Sequence, residues 1–77
     1  MTRLPRISGK EVLSTLQRHG FSVVHVRGSH HYLRKEDFPT LVVVPVHGSS
    51  VIPPGTLKSI LNQAQLTTSE FEEMLRD

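Results

Sequence analysis

A basic, histidine-rich stretch before the middle of the chain holds the residue types that chemistry on a phosphate requires. It runs Arg27, Gly28, Ser29, His30, His31, Tyr32, Leu33, Arg34, Lys35. An imidazole acts as base or acid near neutral pH, because its unshifted pKa is about 6.5. A base that deprotonates a ribose 2′-hydroxyl lets that oxygen attack the adjacent phosphate, and neighbouring cations stabilise the developing charge. The stretch therefore predicts phosphodiester chemistry on RNA.

Within this stretch, His30 is the main catalytic candidate. Its neighbours would contact phosphate or base through backbone amides, a hydroxyl, positive charge or an aromatic face. These predicted binding residues are Arg27, Gly28, Ser29, Tyr32, Arg34 and Lys35. An ordinary surface role is the alternative for His30, and for an isolated histidine it is the commoner one.

Two residues outside the stretch are further candidates. His47 follows a predicted strand and could approach His30 across the sheet, where it would protonate the leaving 5′-oxygen. A plain loop position beside Gly48 explains His47 equally well. Lys10 on the first helix could meet phosphate, although a solvated helix face is the commoner explanation.

The sequence gives little support for a metal site, and we expect neither a metal nor a cofactor. The histidines lack helical i, i+4 spacing, and no carboxylate lies among them. His30 and His31 point to opposite faces of a strand, so they cannot share a metal unless the strand bulges.

Charge is unevenly distributed along the 77 residues. Residues 1–35 contain seven Lys or Arg and one Glu, a net charge of +6, whereas residues 36–77 contain two cations and six acids, a net charge of −4. This asymmetry favours a surface that faces a polyanion. The chain has no cysteine, and its longest apolar run is too short for a bilayer. We expect a single cytoplasmic domain without a membrane segment.

The periodicity predicts the order α-β-β-β-α-α. Residues 1–7 are predicted to form a short arm, and a capping box from Ser8 to Glu11 begins the first helix. Three strands follow, over Phe21–Val26, His30–Lys35 and Leu41–Val46, joined by connections short enough for an antiparallel meander. Prolines open a second helix, and a second capping box, Thr67 to Glu70, opens a short third one.

Strand alternation assigns the side chains of the predicted sheet to its two faces. If Leu33 points towards the core, His31 does so too, and His30, Tyr32 and Arg34 point outward. The helices would cover the inner face and leave the outer face open.

Five short motifs follow one another along the chain. They are Ser8-Gly9-Lys10-Glu11-Val12, Gly20-Phe21, Gly28-Ser29-His30-His31, Val44-Pro45-Val46-His47-Gly48 and Gly55-Thr56-Leu57-Lys58-Ser59-Ile60-Leu61. In this order they resemble the HicA (YcfA-like) mRNA interferase toxin family. The resemblance covers roughly residues 8–75. It implies an α+β fold like the double-stranded-RNA-binding domain, with a three-stranded antiparallel sheet and helices on one face.

The resemblance also implies a function. It implies a metal-independent endoribonuclease of a type II toxin–antitoxin pair, with His30 as the catalytic histidine, inhibited by a HicB-type antitoxin. Two alternatives stay open from the residues: a non-catalytic RNA-binding module of the same fold, and a protein whose main role is to form a complex.

Overall fold

The elements follow the predicted order and build one antiparallel sheet. The computed structural model describes residues 4–77. The three strands pair in chain order, which confirms the predicted α+β class with an extra C-terminal helix. The likeness to the double-stranded-RNA-binding domain stays a prediction. In chain order the elements are α1 (Gly9–Arg18), β1 (Phe21–Arg27), β2 (His30–Lys35), β3 (Val42–Pro45), α2 (Pro54–Gln63) and α3 (Thr68–Arg76).

Both predicted capping boxes are formed. The backbone N–H of Glu11 donates to the Ser8 hydroxyl at 3.2 Å, and the Ser8 N–H donates to the Glu11 carboxylate at 3.1 Å. Thr67 and Glu70 repeat the arrangement at the start of α3. These bonds satisfy amides that the first turn of a helix leaves without an intrahelical partner, which fixes where each helix begins.

The core lies between one face of the sheet and the three helices. Leu33, Val42 and Val44 on that inner face are completely buried. The helices cover them with further buried apolar side chains, among them Val12, Leu16, Leu57, Ile60 and Phe71. A sheet with one covered face leaves the opposite face to solvent. We call that opposite face the outer face.

Strand β3 is shorter than predicted. Leu41 is exposed and lies outside the strand, and the strand ends at Pro45, not at Val46. A proline cannot donate to the ladder, so regular pairing stops there. On the other edge of β3, the Val43 N–H donates to the side-chain oxygen of Gln63 at the end of α2, at 2.9 Å.

The segment before α1 takes part in the core. Residues 1–3 of the predicted arm lie outside the described residues. Leu4 is partly buried against the core, and Ile7 is a core residue whose carbonyl accepts from the Ile52 N–H at 2.8 Å. Ordered packing therefore begins before the capping residue Ser8.

The start of α1 lies directly against the end of β3. A Cβ atom built on Gly9 would be 2.1 Å from the carbonyl oxygen of Pro45 and 3.1 Å from the Cα of Val46. Both neighbours are backbone, so neither can rotate away. Only glycine allows this approach.

Gly9→Ala should therefore destabilise the fold. We expect a loss of about 1–3 kcal/mol in the free energy of unfolding, as for other overpacked sites, measured by urea denaturation. Gly55→Ala is the matched control, because a Cβ there meets nothing within 4 Å and alanine favours helix. Equal stability of the two variants would contradict the close approach.

Candidate active site

The outer face carries His30, as the alternation predicts. His30 and Arg34 are exposed, and Tyr32 between them is half-buried. Their neighbours in β2 point the other way, with Leu33 completely buried and His31 half-buried. The alternation thus separates the two adjacent histidines.

An irregularity in β1 brings two further side chains to this face. Val23 pairs with Leu33, but the next pair is His25 with Tyr32, so Val24 is the extra residue of a bulge. Residues paired in an antiparallel sheet share a face. The bulge therefore puts His25 beside Tyr32, with ring centroids 5.5 Å apart, and Arg27 beside His30. The sequence carries no signal for this bulge.

The turn before His30 is hydrogen-bonded to the segment that follows β3. Gly28 has a φ of +58°, which favours glycine, and a Cβ there would meet nothing within 4 Å. The Ser29 carbonyl accepts from the Val46 N–H at 2.7 Å and lies 3.3 Å from the Nδ1 of His31 in its own strand. The bond to Val46 therefore fixes the backbone that presents His30 against the end of β3.

His47 is exposed at the same end of the sheet. It directly follows Val46, which is bonded to the turn before His30, and Pro45 pairs with His30 in the ladder. The Ser50 N–H donates to the His47 carbonyl at 3.0 Å, so His47 begins a tight turn. The structure thus brings both candidate histidines to one end of the molecule.

The strands of the sheet carry positive charge and no carboxylates of their own. None of the residues of the three strands is acidic. Within residues 4–77 no Arg or Lys forms a salt bridge, and the one close contact of a basic side chain with a carboxylate is that of His19 Nε2 with Asp77, at 3.3 Å and at the far end of α1. Arg27 therefore keeps its charge available for an anion, whereas Arg34 shares a groove at the end of β2 with Glu36 and Asp37.

Two predicted binding residues lie apart from His30. Lys35 pairs with Phe21, a core residue, and its Nζ lies 5.5 Å from the Phe21 ring centroid. Lys10 lines a shallow groove between α1 and α3, together with Ser14, Arg18 and Leu75. Their contact with phosphate stays a prediction, and the geometry does not join them to His30.

The described residues offer no evident metal centre. Among residues 4–77 no group of three or more His, Cys, Asp or Glu side chains is placed to hold a metal ion. Nor is any helix of this part of the chain both long enough and apolar enough to span a bilayer.

Taken together, the outer face offers an exposed imidazole, exposed cations and a stacking surface. An imidazole can accept or donate a proton, and arginine can hold a phosphate. The half-buried Tyr32 ring can carry a nucleobase. These groups suit a nucleic-acid strand that lies along β2.

Comparison with known proteins identifies the family. The model of the family described as the HicA toxin of bacterial toxin–antitoxin matches residues 9–66, which is most of the chain. No curated protein matches. The matched range includes the turn, β2 and the His47 segment. The chain therefore belongs to the HicA toxin family.

Proposed function

We propose that this toxin is a metal-independent endoribonuclease, an mRNA interferase, that uses His30 to cleave RNA. The observation that carries the proposal is the setting of His30. It is exposed beside Arg27, directly after the Gly28-Ser29 turn, on a sheet whose strands carry no carboxylates. Plain RNA binding requires the cations but not an imidazole at the end of a turn whose backbone is hydrogen-bonded to Val46.

In the proposed reaction, His30 removes the proton from a ribose 2′-hydroxyl. The 2′-oxygen attacks the adjacent phosphorus, and the bond to the 5′-oxygen of the next nucleotide breaks. A proton goes to that leaving oxygen, and the products are a 2′,3′-cyclic phosphate and a free 5′-hydroxyl. Arg27 stabilises the charge that builds on the phosphate oxygens, as cations commonly do in phosphoryl transfer.

His47 is proposed as the acid for the leaving oxygen. It is exposed, and it follows the residue whose N–H is bonded to Ser29. Two histidines on either side of a phosphate can divide the base and acid roles between them. The assignment depends on their approach to one phosphate at the end of the sheet.

We propose that an antitoxin inhibits the toxin by covering His30. The family is that of toxins of toxin–antitoxin systems, so an antitoxin partner is expected. We propose a HicB-type antitoxin, encoded by a small adjacent open reading frame and present with the toxin in the cytoplasm. An open basic face attracts acidic protein surface as well as RNA, because both respond to the same field.

Replacing His30 with alanine should abolish cleavage and preserve binding. We expect the rate to fall about 10²–10⁴-fold, the usual contribution of general acid–base catalysis, when RNA is incubated with protein in EDTA. Affinity for RNA should change little, because Arg27 and Arg34 remain. His25→Ala is the matched control, since His25 is also exposed on this face.

The cleavage products and the variants discriminate between an endoribonuclease and the two alternative functions. Wild-type cleavage that leaves a 2′,3′-cyclic phosphate supports the proposal. RNA binding without cleavage by either protein would instead indicate a non-catalytic RNA-binding module. If no RNA is bound, complex formation would be the main role.

Replacing His47 with alanine should change the pH dependence of cleavage. A base must be unprotonated and an acid protonated, so a pair of them gives a rate that falls at both low and high pH. Removing the acid should lower the rate and abolish the fall at high pH. An unchanged bell-shaped profile in His47→Ala would exclude His47 as the acid.

The antitoxin should protect His30 from chemical modification. Diethyl pyrocarbonate reacts with accessible imidazoles, and mass spectrometry locates the product. We expect His30 and His25 to react in the free toxin and to be protected in the complex. His19 lies away from the outer face with its Nε2 buried, so its slower reaction should be the same in both samples and is the internal control. If the complex is inactive but His30 is modified as fast as in the free toxin, the antitoxin does not inhibit by covering His30.

A further inference from the structure

The end of the outer face farthest from His30 contains an open groove. Its volume is about 490 Å³, within the range of sites that hold small ligands. It lies where β2 ends and the chain turns towards β3. Its lining includes Ser22, Val24, Arg34, Glu36, Asp37 and Phe38. We call it the Arg34 groove.

The groove is aligned with the proposed catalytic residue. His30 and Arg34 are both exposed on the outer face and are four residues apart in β2. Strand geometry puts their Cα atoms about 13 Å apart. A single strand that passes His30 along β2 would therefore reach the groove within a few nucleotides.

The chemistry inside the groove differs from that around His30. Arg34 and Lys35 supply two cations from the end of β2, and Glu36 and Asp37 supply two acids from the turn that follows. Val24, which the β1 bulge leaves 54% exposed, and the half-buried Phe38 add apolar surface. The acids balance the cations, so the groove is not a simple anion site.

The turn that carries the acids is fixed. The Phe38 N–H donates to the Lys35 carbonyl at 3.1 Å, and Asp37 adopts a φ of +60°. Phe38 packs edge-on against Phe21, with centroids 5.5 Å apart. The acids are therefore held at the rim by a turn whose base is packed on the core.

We propose that the Arg34 groove is a base-reading subsite for single-stranded RNA. The inference rests on the proposed endoribonuclease function. In this subsite Arg34 binds a phosphate of the RNA backbone. Val24 and Phe38 pack against the base. The carboxylates of Glu36 and Asp37 accept hydrogen bonds from an exocyclic amino group of that base. Cytosine presents such a group at N4, where uracil presents a carbonyl acceptor. The subsite therefore prefers cytosine to uracil.

The test compares oligocytidine with oligouridine of equal length, two probes that differ in this donor. Binding is measured by fluorescence anisotropy with His30→Ala protein, so that the probes stay intact. We expect the cytidine probe to bind at least about fivefold more tightly, the discrimination that one good base contact gives. In protein that also carries Glu36→Ala and Asp37→Gly, the preference should vanish. Glycine is chosen at 37 because the φ there is positive.

The matched control removes two carboxylates elsewhere. Glu72→Ala with Glu73→Ala on α3 gives the same change of charge, which raises affinity for both probes alike and leaves their ratio intact. Circular dichroism confirms that each variant is folded. The preference should also be absent from probes too short to reach from His30 to the groove.

The possible results separate this inference from the proposed function. Suppose that wild-type protein cleaves RNA but binds the cytidine and uridine probes equally. The base-reading subsite is then wrong, and the endoribonuclease proposal stands. The same conclusion follows if the Glu36/Asp37 and the Glu72/Glu73 double variants change the ratio of the two affinities to the same extent. If the protein binds neither probe, both proposals fall.

Discussion

The contact between Gly9 and the carbonyl of Pro45 is the constraint on which the arrangement of this small protein depends. At this point α1, β3 and the turn before β2 meet. A Cβ on Gly9 would lie 2.1 Å from the Pro45 oxygen, and the next residue, Val46, donates to Ser29 at 2.7 Å. The contact at Gly9 and the bond from Val46 to Ser29 therefore fix the first helix relative to the turn that presents His30. A change of one methyl group at residue 9 would disturb this whole junction, because protein interiors are close-packed.

The two faces of the sheet differ in their side chains: the inner face forms the core and the outer face is exposed. The inner face supplies Leu33, Val42 and Val44 to the core, and the outer face supplies cations, imidazoles and Tyr32. A chain of this size has a thin core, so it cannot bury both faces. Side chains such as His30 add little to stability and stay available for contact with other molecules.

Much of this arrangement could be predicted because the signals are local. The capping boxes depend on residues three positions apart, and the separation of His30 from His31 follows from alternation within one strand. The bulge at Val24 could not be predicted, since the extra residue exists only relative to the partner strand. For the same reason the sequence did not show that His25 and Arg27 share a face with Tyr32 and His30. The positions of Lys10 and Lys35 depend on how α1 and the end of β2 pack against the core.

The bond between the Gln63 side chain and the Val43 N–H has a consequence for association. An edge strand with free backbone donors is a template on which strands of other chains can add. The Gln63 oxygen occupies an outward donor of β3, so a strand could add there only by breaking that bond. On the opposite edge, the bulge makes β1 irregular, which also discourages regular pairing. Both edges of the sheet thus carry a feature that disfavours the addition of another strand.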